Sequence, residues 1–237
     1  MIDVHSHVIP GVDDGSRTME ESIQMLRSLA EQGFTGVIAT PHDSRRRPLA
    51  DLDERVQDLE GEIRRFCPDF SVWPGQETHY HEGLVERLKR GEAHPLNHTR
   101  YVLVEFDPGV AAKQLLLGVR RLSEAGYWPL LAHMERYMCL KDDECLRDAA
   151  GYGCFFQMNY DSLTGRWYSR EVRRCRNLVR NGWIHVLGTD MHRMDWRPPV
   201  TQKALEWLNN SLDPDAVRLM TEENPRRLIS GERLVRR

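Results

Sequence analysis

Cysteine is scarce in this 237-residue chain. Cys67, Cys139, Cys145, Cys154 and Cys175 are odd in number and form no C-x-x-C pair, which argues against a zinc knuckle and a disulfide framework. None is followed six positions later by arginine, the Cys-x5-Arg spacing with which thiol-based phosphatases wrap a phosphate, so a cysteine nucleophile is disfavoured. No run approaches the roughly 18 apolar residues of a membrane span. Met1 leads straight into Ile2 and Asp3 without the basic and apolar regions of a secretory signal. These features predict a cytoplasmic protein kept reduced. A strongly basic balance is also missing. The formal charge of −3 gives no nucleic-acid footprint. Glycine-rich dinucleotide fingerprints and Gly-Pro-Ser linkers are absent too, which favours one domain over 1–237.

What is present is a recurrence of short apolar runs, bounded by turn residues and separated by helical periodicity. That pattern predicts repeated β-α units and a parallel sheet. Seven strands are expected, near Met1–His5, Thr35–Thr40, Ser71–Gln76, Tyr101–Phe106, Pro129–His133, Phe155–Asn159 and Ile184–Thr189. Met19, Ile23, Leu26 and Ala30 mark a first helix, with Gly33 as its stop. Further helices are expected near Asp51–Phe66, Ala111–Ala125, Ser169–Arg180 and Pro199–Asn209, and a short one near Asp213–Met220. A β-α unit of about 25 to 35 residues in a chain of this length suits a (β/α) barrel better than an open sheet.

Barrel active sites form at the C-terminal ends of strands, and there this chain concentrates metal-ligand residue types. The first strand ends in Asp3-Val4-His5-Ser6-His7, where alternation points residues 3, 5 and 7 to one face. His42, Glu77, Glu105, His133, and Asp190 with His192 stand at or just beyond five other strand ends. One such residue is only a first solvated position; six strand ends out of seven are a constellation. The ligands exceed what one ion uses, which implies two or three ions sharing a bridging carboxylate. Such a centre polarises a phosphoryl oxygen while metal-activated water attacks in line, so phosphate-ester hydrolysis is the expected chemistry.

Asp14, in Asp13-Asp14-Gly15, has two readings: a further ligand or acid for the leaving oxygen, or an Asx turn or helix cap near Thr18. Arg136 and Arg197 follow His133 and His192 closely enough to clamp phosphate, although isolated arginines are more often surface residues. Arg45–Arg47 stand either as an anion-attracting loop or as a solvated charge run. His79 and His81 read as an exposed polar stretch. His94, His98 and His185 read as structural.

Taken together, these residues resemble the polymerase and histidinol phosphatase (PHP) family, and within it the bacterial manganese-dependent tyrosine phosphatases of capsule and exopolysaccharide synthesis, the CpsB type. The similarity rests on Met1–His7 and Pro10–Gly15, on Ala39-Thr40-Pro41-His42, and on Ala132-His133 with Glu135-Arg136-Tyr137. Thr189-Asp190-Met191-His192 and Asn224-Pro225 extend it over almost the whole chain. Met134 replaces the family's usual proline, Thr189 its serine, and Gln76 a common asparagine. The resemblance implies a distorted (β/α)7 barrel with three divalent ions at the strand ends, manganese foremost and iron, zinc or magnesium as alternatives. It assigns His5, His7, Glu77 and Asp190 to one ion, Glu77, Glu105 and His133 to a second, and His42 with His192 to a third. Asp14 falls at a general-acid position, and Arg136 and Arg197 at phosphate-binding positions. The implied substrate is a phosphotyrosine protein, the tyrosine-rich tail of a bacterial kinase. A small phosphomonoester such as histidinol phosphate, or a kinase-binding regulatory role, is the alternative.

Overall fold

Among the described residues eight short strands form the centre of the molecule, and every ladder between them is parallel, as helical crossovers require. They are β1 (Ile2–Ser6), β2 (Gly36–Ala39), β3 (Ser71–Pro74), β4 (Glu77–His79), β5 (Tyr101–Glu105), β6 (Trp128–Leu131), β7 (Phe155–Asn159) and β8 (Val186–Gly188). The computed structural model describes residues 1–43, 48–166 and 168–236. The Arg45–Arg47 run lies outside the described residues.

The seven-strand expectation is corrected at one place. The strand expected over Ser71–Gln76 ends at Pro74, and after Gly75 and Gln76 a further short strand, β4, begins at Glu77. Order β1-β2-β3 makes one sheet and order β4-β5-β6-β7-β8 another. The barrel is accordingly not regularly laddered. Its two sheets meet at two seams: Glu77 N–H donates to the Pro41 carbonyl (3.1 Å) and Asp43 N–H to that of Glu77 (2.9 Å), while Asp190 N–H donates to His5 and His7 N–H to Met191 (both 2.9 Å).

Helices cover the sheets: α1 (Met19–Glu31), α2 (Leu52–Arg64), α3 (Leu84–Lys89), α4 (Ala112–Glu124), α5 (Asp143–Gly151), α6 (Arg170–Arg180), α7 (Gln202–Ser211), α8 (Pro214–Arg218) and α9 (Asn224–Ser230). Thr18 caps α1 by accepting from Glu21 N–H, and Gly33 follows the helix at φ 90°, a torsion that favours glycine. Ile23, Leu26 and Leu29 face inward at helical spacing, each burial contributing about 1.5–3 kcal/mol. The sequence reading missed α3, α5 and α9. Each is nine residues or fewer and buries too few large apolar side chains to show a stripe.

Two apolar clusters result. The larger packs helices on the sheets; the smaller joins Val4, Ile38, Leu103, Leu130 and Val186 of the strands to Leu228 and Leu234 near the C-terminus. Tyr101 ties this second cluster down: its hydroxyl donates to the Glu232 carbonyl (2.9 Å) and accepts from Leu234 N–H (2.8 Å). Among the described residues, no helix is long and apolar enough to cross a membrane.

Candidate metal centre

His5 and His7 project to the same side of the end of β1, their Nε2 atoms 3.4 Å apart. Two glycines let them lie there. A Cβ on Gly15 would meet the His7 carbonyl oxygen at 2.2 Å, and one on Gly188 would meet His5 Cβ at 2.6 Å, so the backbone approaches both histidines more closely than any other residue permits. Asp3 does not join them. Its buried carboxylate accepts from Thr189 N–H (2.9 Å) and Thr189 O–H (2.5 Å), so the third member of the expected Asp-x-His-x-His face pins the β1–β8 seam instead. Burial pushes the Asp3 carboxyl up to about 6.

Glu77 is the hub of the pocket. Its Oε2 lies 3.2 Å from His5 Nε2, 3.3 Å from His7 Nε2 and 3.2 Å from His42 Nδ1, while its Oε1 lies 2.8 Å from His133 Nε2. Asp190 Oδ1 approaches His5 and His7 at 3.7 and 3.5 Å. His5, His7, Glu77 and Asp190 therefore offer four ligand atoms to one point, the first set expected from the sequence. Ligands about 2.0–2.2 Å from a common ion lie roughly 3.0–3.5 Å from one another, and the observed spacings suit that edge length. The donor set fits a divalent cation.

The other two groupings differ in membership from expectation. Glu105 comes together with Glu77 and His42, its Oε1 3.6 Å from His42 Nδ1; His133 reaches the same carboxylates at 2.8 Å from Glu77 and 3.7 Å from Glu105. His42 and His192 gather around Asp14 Oδ1, each Nε2 3.6 Å away, with His7 alongside. Of the two readings of Asp14, the structure favours a place at the centre: the loop cap is Asp13, which accepts from Gly15 N–H (2.9 Å).

Charge balance in the pocket points the same way. Burial works against the imidazolium forms of His5 and His7, yet the carboxylates of Glu77, Asp190 and Asp13 outweigh it and raise both. Glu77 and Asp190 are held low in return. Glu105, partly buried and facing Glu77, is pushed up to about 7, and burial with nearby His7 lowers His192 to about 4. Protons on two buried imidazoles thus neutralise part of a carboxylate excess, a task that cations perform equally well.

Residues that carry no ligand signature orient those that do. Asp13 Oδ2 accepts from His7 Nδ1 (2.7 Å) and from His42 N–H (2.9 Å), leaving His7 Nε2 free for a cation. His7 outweighs the effect of burial on Asp13 and holds its carboxyl at about 2. Gln157 Oε1, on β7, pairs with His5 Nδ1 (3.1 Å) and accepts from His133 N–H (2.7 Å). Its Nε2 donates to Asn159, which donates to Asp190 Oδ2 (3.0 Å). β7, which ends without a candidate ligand, thus supports three of them through Gln157 and Asn159. Two buried amides at a spacing of two in Phe155–Asn159 were the available signal. Asp43, beside His42, forms a bidentate pair with buried Arg87 that the sequence reading also missed.

Both proposed clamp arginines reach the pocket. Arg136 Nη2 lies 2.7 Å and Arg197 Nη1 3.4 Å from Asp190 Oδ2, and Arg197 rests over the Trp196 ring at 4.7 Å. His133, Asp190 and Arg197 adopt left-handed backbone, with φ of 31°, 53° and 54°. Such torsions cost of order 1–3 kcal/mol each in non-glycine residues and concentrate at functional sites. His94 and His185 bond to backbone atoms and His98 to Asp53, as structural histidines do. His79, half-exposed, faces Asp107 at 3.6 Å, away from the ligand groupings.

The profile of the family described as "Capsular polysaccharide synthesis, CpsB/CapC" matches residues 1–230. Tyrosine-protein phosphatase CpsB of Streptococcus pneumoniae is 30% identical over 98% of this chain and 99% of its own length. Tyrosine-protein phosphatase YwqE of Bacillus subtilis (strain 168) is 28% identical over 100% of this chain and 94% of its own. A crystal structure from work on YwqE and CpsB, described as unique metal-dependent tyrosine phosphatases, superposes with a TM-score of 0.89 at 28% identity, covering 100% of this chain and 97% of that one. An organophosphorus hydrolase from Deinococcus radiodurans shares the fold alone, with a TM-score of 0.60 at 15% identity over 96% of this chain and 92% of that one.

Proposed function

The chain belongs to the CpsB/CapC family of capsular polysaccharide synthesis, and from that premise we propose that it is a metal-dependent phosphatase hydrolysing phosphotyrosine on protein. The observation that carries the reading is the placement of Glu77 between four imidazoles, with buried Asp190 beside them and Arg136 and Arg197 reaching it from the rim. His5, His7, Glu77 and Asp190 hold one ion. Glu77, Glu105 and His133 would hold a second, with His42 in reach, and His42 with His192 a third, with Asp14 close by. Manganese is the ion we favour, since mixed imidazole and carboxylate ligation suits it.

Divalent cations held there would supply Lewis acidity and would make water a nucleophile near neutral pH. The chain's own residues do the rest. Arg136 and Arg197 each commit one nitrogen to Asp190, and their remaining N–H groups bind and orient the phosphoryl oxygens. Water attacks phosphorus opposite the tyrosyl oxygen and the P–O(aryl) bond breaks; Asp14 delivers a proton to the departing phenolate and is restored by one proton of the water, the other staying on the phosphate. Tyrosine and inorganic phosphate are the products. A tyrosine-phosphorylated bacterial kinase governing polysaccharide export is the protein substrate we favour, in the cytoplasm, where five unpaired thiols stay reduced.

Purified protein with added Mn²⁺ is expected to release phosphate from a phosphotyrosine peptide faster than from histidinol phosphate, to stop in chelator, and to fall to background in His5→Ala. Undiminished turnover in chelator would refute the reading.

A further inference from the structure

Two adjoining hollows, each of about 520 Å³, flank α6: one lies between α5 and α6, the other between α6 and the segment that holds Glu135, Arg136 and Lys141. Arg170 and Arg174 line both, which makes them one groove. Its inner end is Arg136, the residue bonded to Asp190. Along it stand Lys141, Arg147, Arg170, Arg173 and Arg174.

These cations differ from the arginines elsewhere. Arg55, Arg64, Arg65, Arg120 and Arg218 pair with carboxylates three or four residues away on their own helices, and on α6 itself Arg176 and Arg180 rest over Trp207 at 5.0 and 5.3 Å. Lys141, Arg147, Arg170 and Arg173 form no ion pair among the described residues, and Arg174 donates to the Leu140 carbonyl. Arg170 stands at i−3 and i−4 from Arg173 and Arg174, a like-charge spacing that destabilises a helix unless something negative covers it. The carboxylates that border the groove are fewer: Asp143 and Glu171 at its edge, and Glu135, which already accepts from Ser162 and Asn159. In a chain of net charge −3 this concentration is local.

Size narrows the occupant. From Arg170 to Asn181, the lining residues of α6 span about 16 Å at 1.5 Å per residue, the length of roughly five residues of extended chain. Base stacking finds little platform, because Trp183 is the aromatic that borders the groove and Arg236 covers it at 3.8 Å. We propose that the groove binds an acidic polypeptide segment flanking the phosphotyrosine of the substrate, with Arg147, Arg170 and Arg173 pairing with its Asp and Glu side chains. The inference rests on the phosphatase reading for its orientation, since the groove ends at Arg136, whose guanidinium bonds Asp190.

The test separates the two. Anisotropy of a labelled five-residue Asp/Glu peptide without phosphotyrosine, and of its Asn/Gln counterpart, measures the groove in metal-free protein. The acidic peptide should bind in a salt-sensitive manner and the neutral one should not. Arg170→Glu with Arg173→Glu, and separately Arg147→Glu on the opposite wall, should weaken binding about tenfold, with thermal melts confirming the fold. In the Mn²⁺ enzyme the same variants should raise KM for an acid-flanked phosphotyrosine peptide about tenfold, leaving kcat and hydrolysis of free phosphotyrosine unchanged. Equal binding of the two peptides, wild-type affinity in both variants, or tighter binding of an oligonucleotide of equal charge overturns the proposal. Failure to hydrolyse free phosphotyrosine overturns the phosphatase reading and leaves the anisotropy result standing.

Discussion

Strand β8 has a buried histidine near each end, both lowered to about 4 chiefly by burial, yet the two rings face different partners. Beyond its C-terminal end, His192 joins His5, His7 and His42 among the carboxylates of Asp14, Glu77 and Asp190. Just before its N-terminal end, His185 is buried against Phe155 and Phe156, its Nδ1 accepting from Phe156 N–H (3.1 Å), while Asn224 donates to its carbonyl (2.9 Å). Burial, then Arg236, lowers His185 to about 4, whereas burial among carboxylates leaves His5 and His7 raised. The partner set decides what a buried imidazole is for. A ring facing several acids is a cation site; a ring accepting from a backbone amide is part of the frame.

The sharpest way to break this contrast is Glu77→Gln. It removes the charge that four imidazoles share, and activity with Mn²⁺ should drop to background with loss of bound metal, both read on the same sample by phosphate release and elemental analysis. Gln157→Ala comes next. With His5 and His133 released from their common amide, metal affinity by calorimetry and turnover should each fall about 10- to 100-fold. Arg136→Ala and Arg197→Ala should cost a comparable or smaller factor, each removing hydrogen bonds worth about 1.5–3 kcal/mol to a charged phosphoryl group, while metal content stays at the wild-type level. Retained kinetics in both would return these arginines to the surface.

The smallest consequence for turnover belongs to His185, whose signature is in stability. Above pH 6.5 the ring is neutral folded and unfolded. As pH falls from 6.5 toward 4 the unfolded chain takes up a proton that the folded ring refuses, so stability declines by up to about 3 kcal/mol across that window. Denaturation of wild type and His185→Leu at pH 8 and pH 4.5 measures the difference. The variant should start less stable and lose less on acidification; parallel losses would assign the acid sensitivity elsewhere.

The candidate ligands are legible because parallel strands place their first polar residue at one rim, so chemistry-bearing types after apolar runs sort themselves. Their supports are not. Gln157 and Asn159 look like ordinary amides until β7 is packed beside β6 and β8, and Asp13 is indistinguishable from Asp14 until the loop closes over His7. Asp3 shows the converse: alternation put it on the right face, but Thr189 across the seam claimed its oxygens. The break at Gly75 and Gln76 was hidden for a similar reason, since only the neighbouring Pro41–Asp43 segment dictates where β4 begins.

The left-handed torsion of Asp190 also governs how that position can be interrogated. At φ 53° alanine carries the steric conflict of its own Cβ with nothing to offset it, whereas asparagine is at ease there and nearly matches aspartate in shape. Replacement by alanine therefore mixes a lost charge with a conformational penalty, and Asp190→Asn isolates the charge.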